Sequence, residues 1–157
     1  MMIELNISKD LIITTKNNSK VIINTPIVFL PFGLEKEYNN FYLKIQLRKT
    51  HDKDFNLKLS DFLNTIENIE EQIQEKTSKV LKSQVRMHSK YDPIIITKIP
   101  FYKGKPHVII KDKDGYPFNI YKIQKGTFFK AKLQIDRLFE YKNSLTYKIK
   151  VIEINLV

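Results

Sequence analysis

The chain has 157 residues, of which 42% are apolar and 28% charged, a composition typical of a globular domain and not of a disordered tail. It has no cysteine, which excludes disulfide scaffolds, thiol catalysis, iron–sulfur clusters and thiolate zinc sites. Lys and Arg outnumber Asp and Glu by 27 to 17, and the net charge of +10 favours a polyanionic partner such as nucleic acid.

The sequence carries no signal for export or for membrane insertion. Met1–Leu5 lacks the basic and long apolar regions of a signal peptide. The most apolar stretch, Pro26–Leu34, is broken by Pro31 and Gly33 and is far shorter than the ~20 residues of a membrane helix. We therefore expect an intracellular protein with no membrane partner, formed by one domain over residues 1–157.

Short runs rich in Ile, Val, Phe and Tyr predict a mostly β domain. The predicted strands are Leu11–Thr14, Val21–Asn24, Ile27–Leu30, Phe41–Arg48, Ile94–Ile99, His107–Lys111, Phe118–Ile123, Thr127–Phe139 and Leu145–Leu156. Turns are expected at Asn17–Ser19, at Lys142–Ser144 and at Lys113–Tyr116, where an Asp-Gly pair is typical of a tight hairpin.

One principal helix is predicted, from about residue 60 to residue 83. Apolar residues recur there at helical spacing, and Ser60 is the expected N-cap. The part Asp61–Glu75 holds five acidic residues and no basic one. The acidic run is either simply a solvated helix face, or it shows that the helix lies away from a basic binding surface.

The sequence offers no strong catalytic signal, and we predict a protein that is not an enzyme and needs no cofactor or metal. There is no Gly-x-Ser-x-Gly elbow, no His-Glu-x-x-His pair and no Gly-rich phosphate loop. Two carboxylate pairs, Asp52 with Asp54 and Asp112 with Asp114, leave open a metal-dependent nuclease. The second pair lies in the predicted hairpin turn, which is a sufficient reason for its presence.

Three strands alternate between an apolar face and a basic face. In Phe41–Arg48 the outward residues include Tyr42, Lys44 and Arg48. In the next such strand the inward residues are Phe129, Ala131, Leu133 and Ile135, and the outward ones are Phe128, Lys130, Lys132 and Gln134. In the last strand Leu145, Tyr147 and Ile149 point inward, and Thr146, Lys148 and Lys150 point outward.

The apolar pattern of the last strand changes register near Val151 and Ile152, which predicts a β-bulge there. Beyond that point Ile152, Ile154 and Leu156 form the apolar set.

The shared outer face predicts a surface for single-stranded nucleic acid, because cations meet phosphates and aromatic rings stack with bases. The three strands carry almost no acidic residue on that face. A basic loop adds a second candidate surface with Lys98, Tyr102, Lys103 and Lys105. The alternative is that these lysines only keep strand edges from aggregating.

These segments resemble the single-stranded DNA-binding proteins of nucleocytoplasmic large DNA viruses, and related phage proteins have a similar layout. The resemblance is carried by Thr25–Leu34, Tyr42–Leu47, the acidic amphipathic helix, Lys125–Ile135 and Leu145–Ile154. It implies an OB-fold, a small Greek-key barrel that binds single strands in a groove across one face. It also implies a role in viral DNA replication, recombination or repair, in the host cytoplasm or nucleus.

Several alternatives stay open at this point. The domain is either a single-strand binder or a structural module of a virion or replication complex that docks through its acidic helix. Stacking and phosphate contacts serve DNA and RNA alike. Exposed strand edges near the N-terminus allow a homodimer, and replication proteins are further candidate partners. Many relatives end in an acidic tail that recruits partners, and the sequence here ends on Glu153–Val157 within the expected last strand.

Overall fold

The computed structural model describes residues 3–157, so Met1 and Met2 of the N-terminal segment lie outside the described residues. The strands are β1 (Leu5–Ile7), β2 (Ile13–Thr15), β3 (Val21–Asn24), β4 (Val28–Leu30), β5 (Leu34–Glu37), β6 (Asn40–Gln46), β7 (Val80–Leu81), β8 (Val85–Arg86), β9 (Ile94–Ile99), β10 (Phe101–Tyr102), β11 (Lys105–Pro106), β12 (Ile109–Lys111), β13 (Thr127–Ile135), β14 (Leu138–Tyr141), β15 (Ser144–Tyr147) and β16 (Lys150–Leu156). Helix α1 spans Lys53–Thr77, and a 3₁₀ helix spans Ile120–Lys122.

The central feature is a closed barrel in the order β4, β6, β9, β16, β13 and back to β4. Neighbours in the barrel are antiparallel except β9 and β16, which pair in parallel through Lys98 and Lys150. Two further strands lie on the same side as β4. β3 pairs with the second half of β13, and β5 pairs with the first half of β6. The prediction of a mostly β, OB-fold-like barrel with one principal helix is confirmed.

The predicted inward faces fill the barrel. Leu43 and Ile45 of β6 are fully buried, as are Phe129, Leu133 and Ile135 of β13. Leu145, Tyr147 and Ile149 are buried too, whereas the residues between them remain partly accessible. Each fully buried Leu, Ile or Phe contributes about 1.5–3 kcal/mol relative to an exposed one, so burial of these apolar strand faces stabilises the barrel strongly.

The predicted β-bulge lies at Ile152. Leu133 pairs with Val151, whereas the preceding Lys132 pairs with Glu153, so Ile152 is the extra residue of β16. Because of this bulge, Val151 and Ile154 are both fully buried, three positions apart. Ile152 and Leu156, predicted to point inward, are only half-buried.

The helix begins earlier and ends earlier than predicted. Asp52 is the N-cap, since its carboxylate accepts the backbone N–H groups of Asp54 at 2.9 Å and Phe55 at 3.2 Å. Ser60 therefore lies inside α1 and not at its start. The helix ends at Thr77, because Ser78 adopts a left-handed conformation with φ of 55°. The predicted helical residues after it include strand β7, and β8 follows just beyond the predicted end.

Three predicted strands are wrong in part. Phe118–Ile123 contains a 3₁₀ helix, whose first turn is capped by the Asn119 side chain at 2.9 Å from the Tyr121 N–H. The predicted strand Thr127–Phe139 stops at Ile135, because the next residues bond to the segment around Leu11 and Ile13. The predicted strand Leu145–Leu156 is divided between β15 and β16.

β15 belongs to a separate small sheet in the order β14, β15, β7, whereas β16 belongs to the barrel. The turns at Asn17–Ser19, Lys113–Tyr116 and Lys142–Ser144 are present as predicted. The other predicted strands end within two residues of their observed ends.

Asp52→Ala is expected to lower the free energy of unfolding by about 0.5–2 kcal/mol, because two N–H groups of the first turn lose their acceptor. Urea denaturation measures this loss. Ser60→Ala is the control and should leave the stability within about 0.5 kcal/mol, as for an exposed helical substitution. Equal losses in the two variants would contradict the assignment of the cap.

Candidate nucleic-acid interface

A groove of about 490 Å³ crosses the outer face of the barrel over β6 and β9. One wall is the hairpin of β5 and β6. The other wall comes from the β7–β8 segment and from the chain between β15 and β16. Its lining includes Glu35, Lys36, Glu37, Tyr38, Tyr42, Lys44, Lys82, Gln84, Arg86, Thr146 and Lys148. Three of the predicted strands, Phe41–Arg48, Ile94–Ile99 and Leu145–Leu156, thus contribute to one site.

Three lysines gather at this groove, since Lys82 and Lys148 line it and Lys98 lies close to them. The pKa of Lys148 is lowered mainly by burial and then by repulsion from Lys98 and Lys82, an effect that Glu37 partly offsets. Among residues 3–157, none of the three lysines forms an ion pair. Their mutual repulsion would be relieved by a bound anion.

Tyr42 lies among these lysines. It is directly opposite Lys98 across β6 and β9, and the Lys148 ammonium is 5.8 Å from the centre of its ring. Burial raises the pKa of the Tyr42 hydroxyl, and the charge of Glu37 raises it further. The phenol therefore stays neutral at physiological pH and presents an uncharged ring beside cations.

A second aromatic cluster continues along the same outer face. The Arg48 guanidinium lies 4.5 Å from the ring centre of Phe29, which is 4.9 Å from the ring centre of Phe128. The pairing register puts Phe128, Phe29 and Gln46 in one row across β13, β4 and β6. Because Tyr42 is on the same side of β6 as Gln46, the groove and this cluster share one continuous surface.

The three strands themselves bring one acidic partner to this face, Glu153, but neighbouring segments add others that the strand pattern does not show. Each of three predicted binding lysines is paired with a carboxylate. The pairs are Lys44 with Glu35 at 3.3 Å, Lys132 with Glu153 at 3.6 Å, and Lys150 with Asp136 at 2.6 Å. Two of these acids lie outside the three analysed strand faces, on β5 and after β13, so only the tertiary pairing reveals them. Lys130 is exposed and makes no ion pair within the described chain.

The predicted basic loop is a short hairpin formed by β10 and β11. Lys103 and Gly104 occupy its turn with φ of 50° and 76°, and Tyr102 is 64% exposed. Phe101 stacks on Phe41 with ring centres 5.0 Å apart, which holds the hairpin at the end of the barrel. Tyr102, Lys103 and Lys105 therefore follow the strand that carries Lys98 but are not part of the groove lining.

Three contributors to this surface were not predicted from the sequence. Lys82 and Arg86 come from the segment around the predicted end of the helix, and Phe29 comes from a predicted strand whose faces were not assigned. Just before β14, Arg137 lies over Phe139 at 5.2 Å, and Phe139 is directly opposite the groove residue Thr146. The alternation of exposed Arg137, Phe139 and Tyr141 is visible in the sequence and could have revealed this stripe.

One carboxylate of each pair in the nuclease alternative has a structural role. Asp52 caps the helix, and the Asp112 carboxylate accepts the N–H groups of Asp114 and Tyr116, each at 2.9 Å. No group of three potential metal ligands is found within residues 3–157. No helix in this part of the chain has the length and apolar character needed to cross a membrane.

A comparison with solved structures finds chains of similar fold. The chain is similar to the single-stranded DNA-binding protein of bacteriophage Enc34 in complex with single-stranded DNA, with a TM-score of 0.58 and 9% identity over 99% of this chain and 94% of that chain. A C-terminal truncation of the phage protein gives a TM-score of 0.58 and 10% identity over 97% and 94%. A further structure of it gives 0.60 and 9% over 98% and 88%.

At this identity the likeness shows a shared fold. A comparison with models of known protein families finds no match, and a comparison with curated proteins finds none either. The likeness agrees with the phage part of the predicted resemblance. It gives no support to an assignment to large DNA viruses in particular.

The pKa of Lys148 is expected to be below that of an ordinary lysine and to rise in Lys98→Gln, because one repulsive charge is removed. An NMR titration of the lysine side chains measures both values. Lys130→Gln removes an equal charge outside this lysine cluster and should leave the Lys148 pKa unchanged. An equal shift in both variants would contradict the clustering.

Proposed function

We propose that the protein is a non-catalytic, sequence-tolerant single-stranded DNA-binding protein. The observation that carries the proposal is the set of three lysines, Lys82, Lys98 and Lys148, which have no ion-pair partner within residues 3–157 and surround Tyr42 on the outer face of an OB-fold-like barrel. Counted along the chain, β6 and β9 are the second and third barrel strands, and the corresponding face of OB-folds binds oligonucleotides.

The proposed mechanism assigns phosphates and bases to different side chains. Lys82, Lys98 and Lys148 neutralise the backbone, so that its counterions are released on binding. Bases stack on Tyr42 and, further along, on the ring of Phe128. Arg48 is held over Phe29 and is available for a phosphate or for stacking on a base.

The remaining predicted site residues have weaker roles in this proposal. Lys44, Lys132 and Lys150 must exchange a carboxylate partner for a phosphate, so each contributes less than an unpaired lysine. Lys130 and the hairpin residues Tyr102, Lys103 and Lys105 meet the strand only where it leaves the groove. The β14–β15 hairpin connects the fourth and fifth barrel strands, a loop position that OB-folds use for oligonucleotides.

The proposed biological role is to protect exposed strands during viral DNA replication, recombination or repair, at the viral replication site in the host. The Enc34 protein is by name a phage single-stranded DNA-binding protein, and this likeness supports the proposal at the level of the fold. Replication proteins and a second copy of the chain are further proposed partners. A docking module that uses the acidic face of α1 is the alternative.

Reversal of two groove charges in Lys98→Glu with Lys148→Glu is expected to reduce affinity for oligo-dT by at least about 100-fold at moderate salt. Fluorescence anisotropy measures the dissociation constant at several salt concentrations. The slope of log affinity against log salt should become less steep by about 0.7 for each lost phosphate contact, or about 1.4 in total.

The control is Lys9→Glu with Lys20→Glu, which makes the same charge change on exposed side chains outside the groove lining. A loss of equal size in the control would mean that net charge alone attracts DNA. Duplex DNA and oligo-U serve as competitors. Equal binding of duplex and single strand would overturn the proposal and favour the docking module.

Tyr42→Ala and Phe128→Ala should each weaken oligo-dT binding by about 1–3 kcal/mol without changing the salt slope, because stacking is lost and no charge changes. Tyr116→Ala is the matched control, since this tyrosine is exposed beside the Asp-Gly turn and lies outside the groove lining. Anisotropy with unfolding curves for each variant separates binding from stability. Affinities that match the control would remove stacking from the mechanism.

A further inference from the structure

Glu70 of α1 joins three groups that approach it from two other segments of the chain. Its carboxylate accepts hydrogen bonds from the Ser83 hydroxyl at 2.7 Å, from the Gln84 N–H at 3.1 Å and from the Tyr147 hydroxyl. The Gln84 side chain in turn donates to the Tyr147 carbonyl at 2.9 Å. Burial and the nearby Glu70 charge raise the pKa of the Tyr147 hydroxyl well above its usual value, so it remains a donor.

The two segments that Glu70 joins are the basic wall of the groove. Lys82 and Gln84 flank Ser83, and both line the groove. Thr146 and Lys148 flank Tyr147 and line the groove as well. The cations Lys82 and Lys148 repel each other. The two segments are joined by the pairing of β7 with β15, and Glu70 adds an attachment behind the wall next to the two lysines.

We propose that Glu70 is a positioning residue for nucleic-acid binding, which holds Lys82 and Lys148 at the spacing needed to contact one phosphate backbone. This inference rests on the proposed single-strand binding. Glu70 is absent from the groove lining, so in this proposal it does not touch the bound nucleic acid. An acidic residue is thereby expected to increase the affinity of the protein for a polyanion.

The test compares Glu70→Gln with Glu67→Gln in fluorescence anisotropy with oligo-dT. Both changes remove one negative charge from α1, and long-range electrostatics alone predicts slightly tighter binding in both. Glu67 is exposed and makes no side-chain hydrogen bond within the described chain, so it serves as the control. We expect Glu70→Gln to bind about tenfold more weakly than Glu67→Gln, since hydrogen bonds to a charged acceptor are lost.

A double-mutant cycle with Lys82→Gln separates positioning from a general loss of structure. If Glu70 acts through Lys82, its replacement costs less affinity once Lys82 is already absent. Tyr147→Phe keeps the buried ring, removes only the donor to Glu70 and carries the same cycle if Glu70→Gln does not fold. Fully additive losses in the cycle, or equal affinities of the Glu70 and Glu67 variants, would overturn the positioning role.

Failure of the proposed function would look different from failure of this inference. In that case the unaltered protein would bind duplex and single strand equally, or the Lys98 and Lys148 reversals would cost no more than their control. A protein that passes those tests while Glu70→Gln binds like Glu67→Gln would retain the proposed function and lose only the positioning role.

Discussion

The parallel contact between β9 and β16 closes the barrel, and the geometry of the groove depends on it. Lys98 pairs with Lys150, and the Lys98 N–H bonds to the Ile149 carbonyl at 2.8 Å. This closure brings the start of β16 beside the middle of the sheet. Lys148 therefore lies next to Lys98 and Tyr42, although fifty residues of chain separate the two lysines.

Closure also explains why positive charge accumulates on this face at a cost in stability. Like charges raise the free energy of the folded state, and the lowered pKa of Lys148 is the local sign of that repulsion. Buried aliphatic side chains inside the barrel offset this cost. Lys44, Lys132 and Lys150 have carboxylate partners. Within the described residues the cluster of Lys82, Lys98 and Lys148 has none, and an unpaired cluster of this kind suits the proposed anionic ligand.

Strand faces and the approximate ends of most predicted strands followed from the sequence, whereas the pairing partners did not. The alternation in residues 41–48 and 128–135 reports burial directly, and even the bulge at Ile152 leaves a visible change of period. β5, β7 and β8 have no such pattern, because tertiary pairing alone holds these short segments. The cap at Asp52 was missed although Phe55 and Leu59 continue the helical spacing of Phe62 and Ile66 into the first turns. Ser60 is also a residue type that caps helices, and the predicted start lies there instead.

For the candidate site, individual residues were predictable from the sequence, but their arrangement was not. Tyr42, Lys98 and Lys148 follow from the basic strand faces and the basic loop, but their grouping and the paired state of Lys44 require the fold. The most direct test of the proposed interface is photo-cross-linking of iododeoxyuridine-substituted oligo-dT, followed by mass spectrometry of the linked peptides. The proposed function predicts cross-links at Tyr42 and Phe128. Cross-links confined to helix α1 or to the turn at Tyr116 would contradict it.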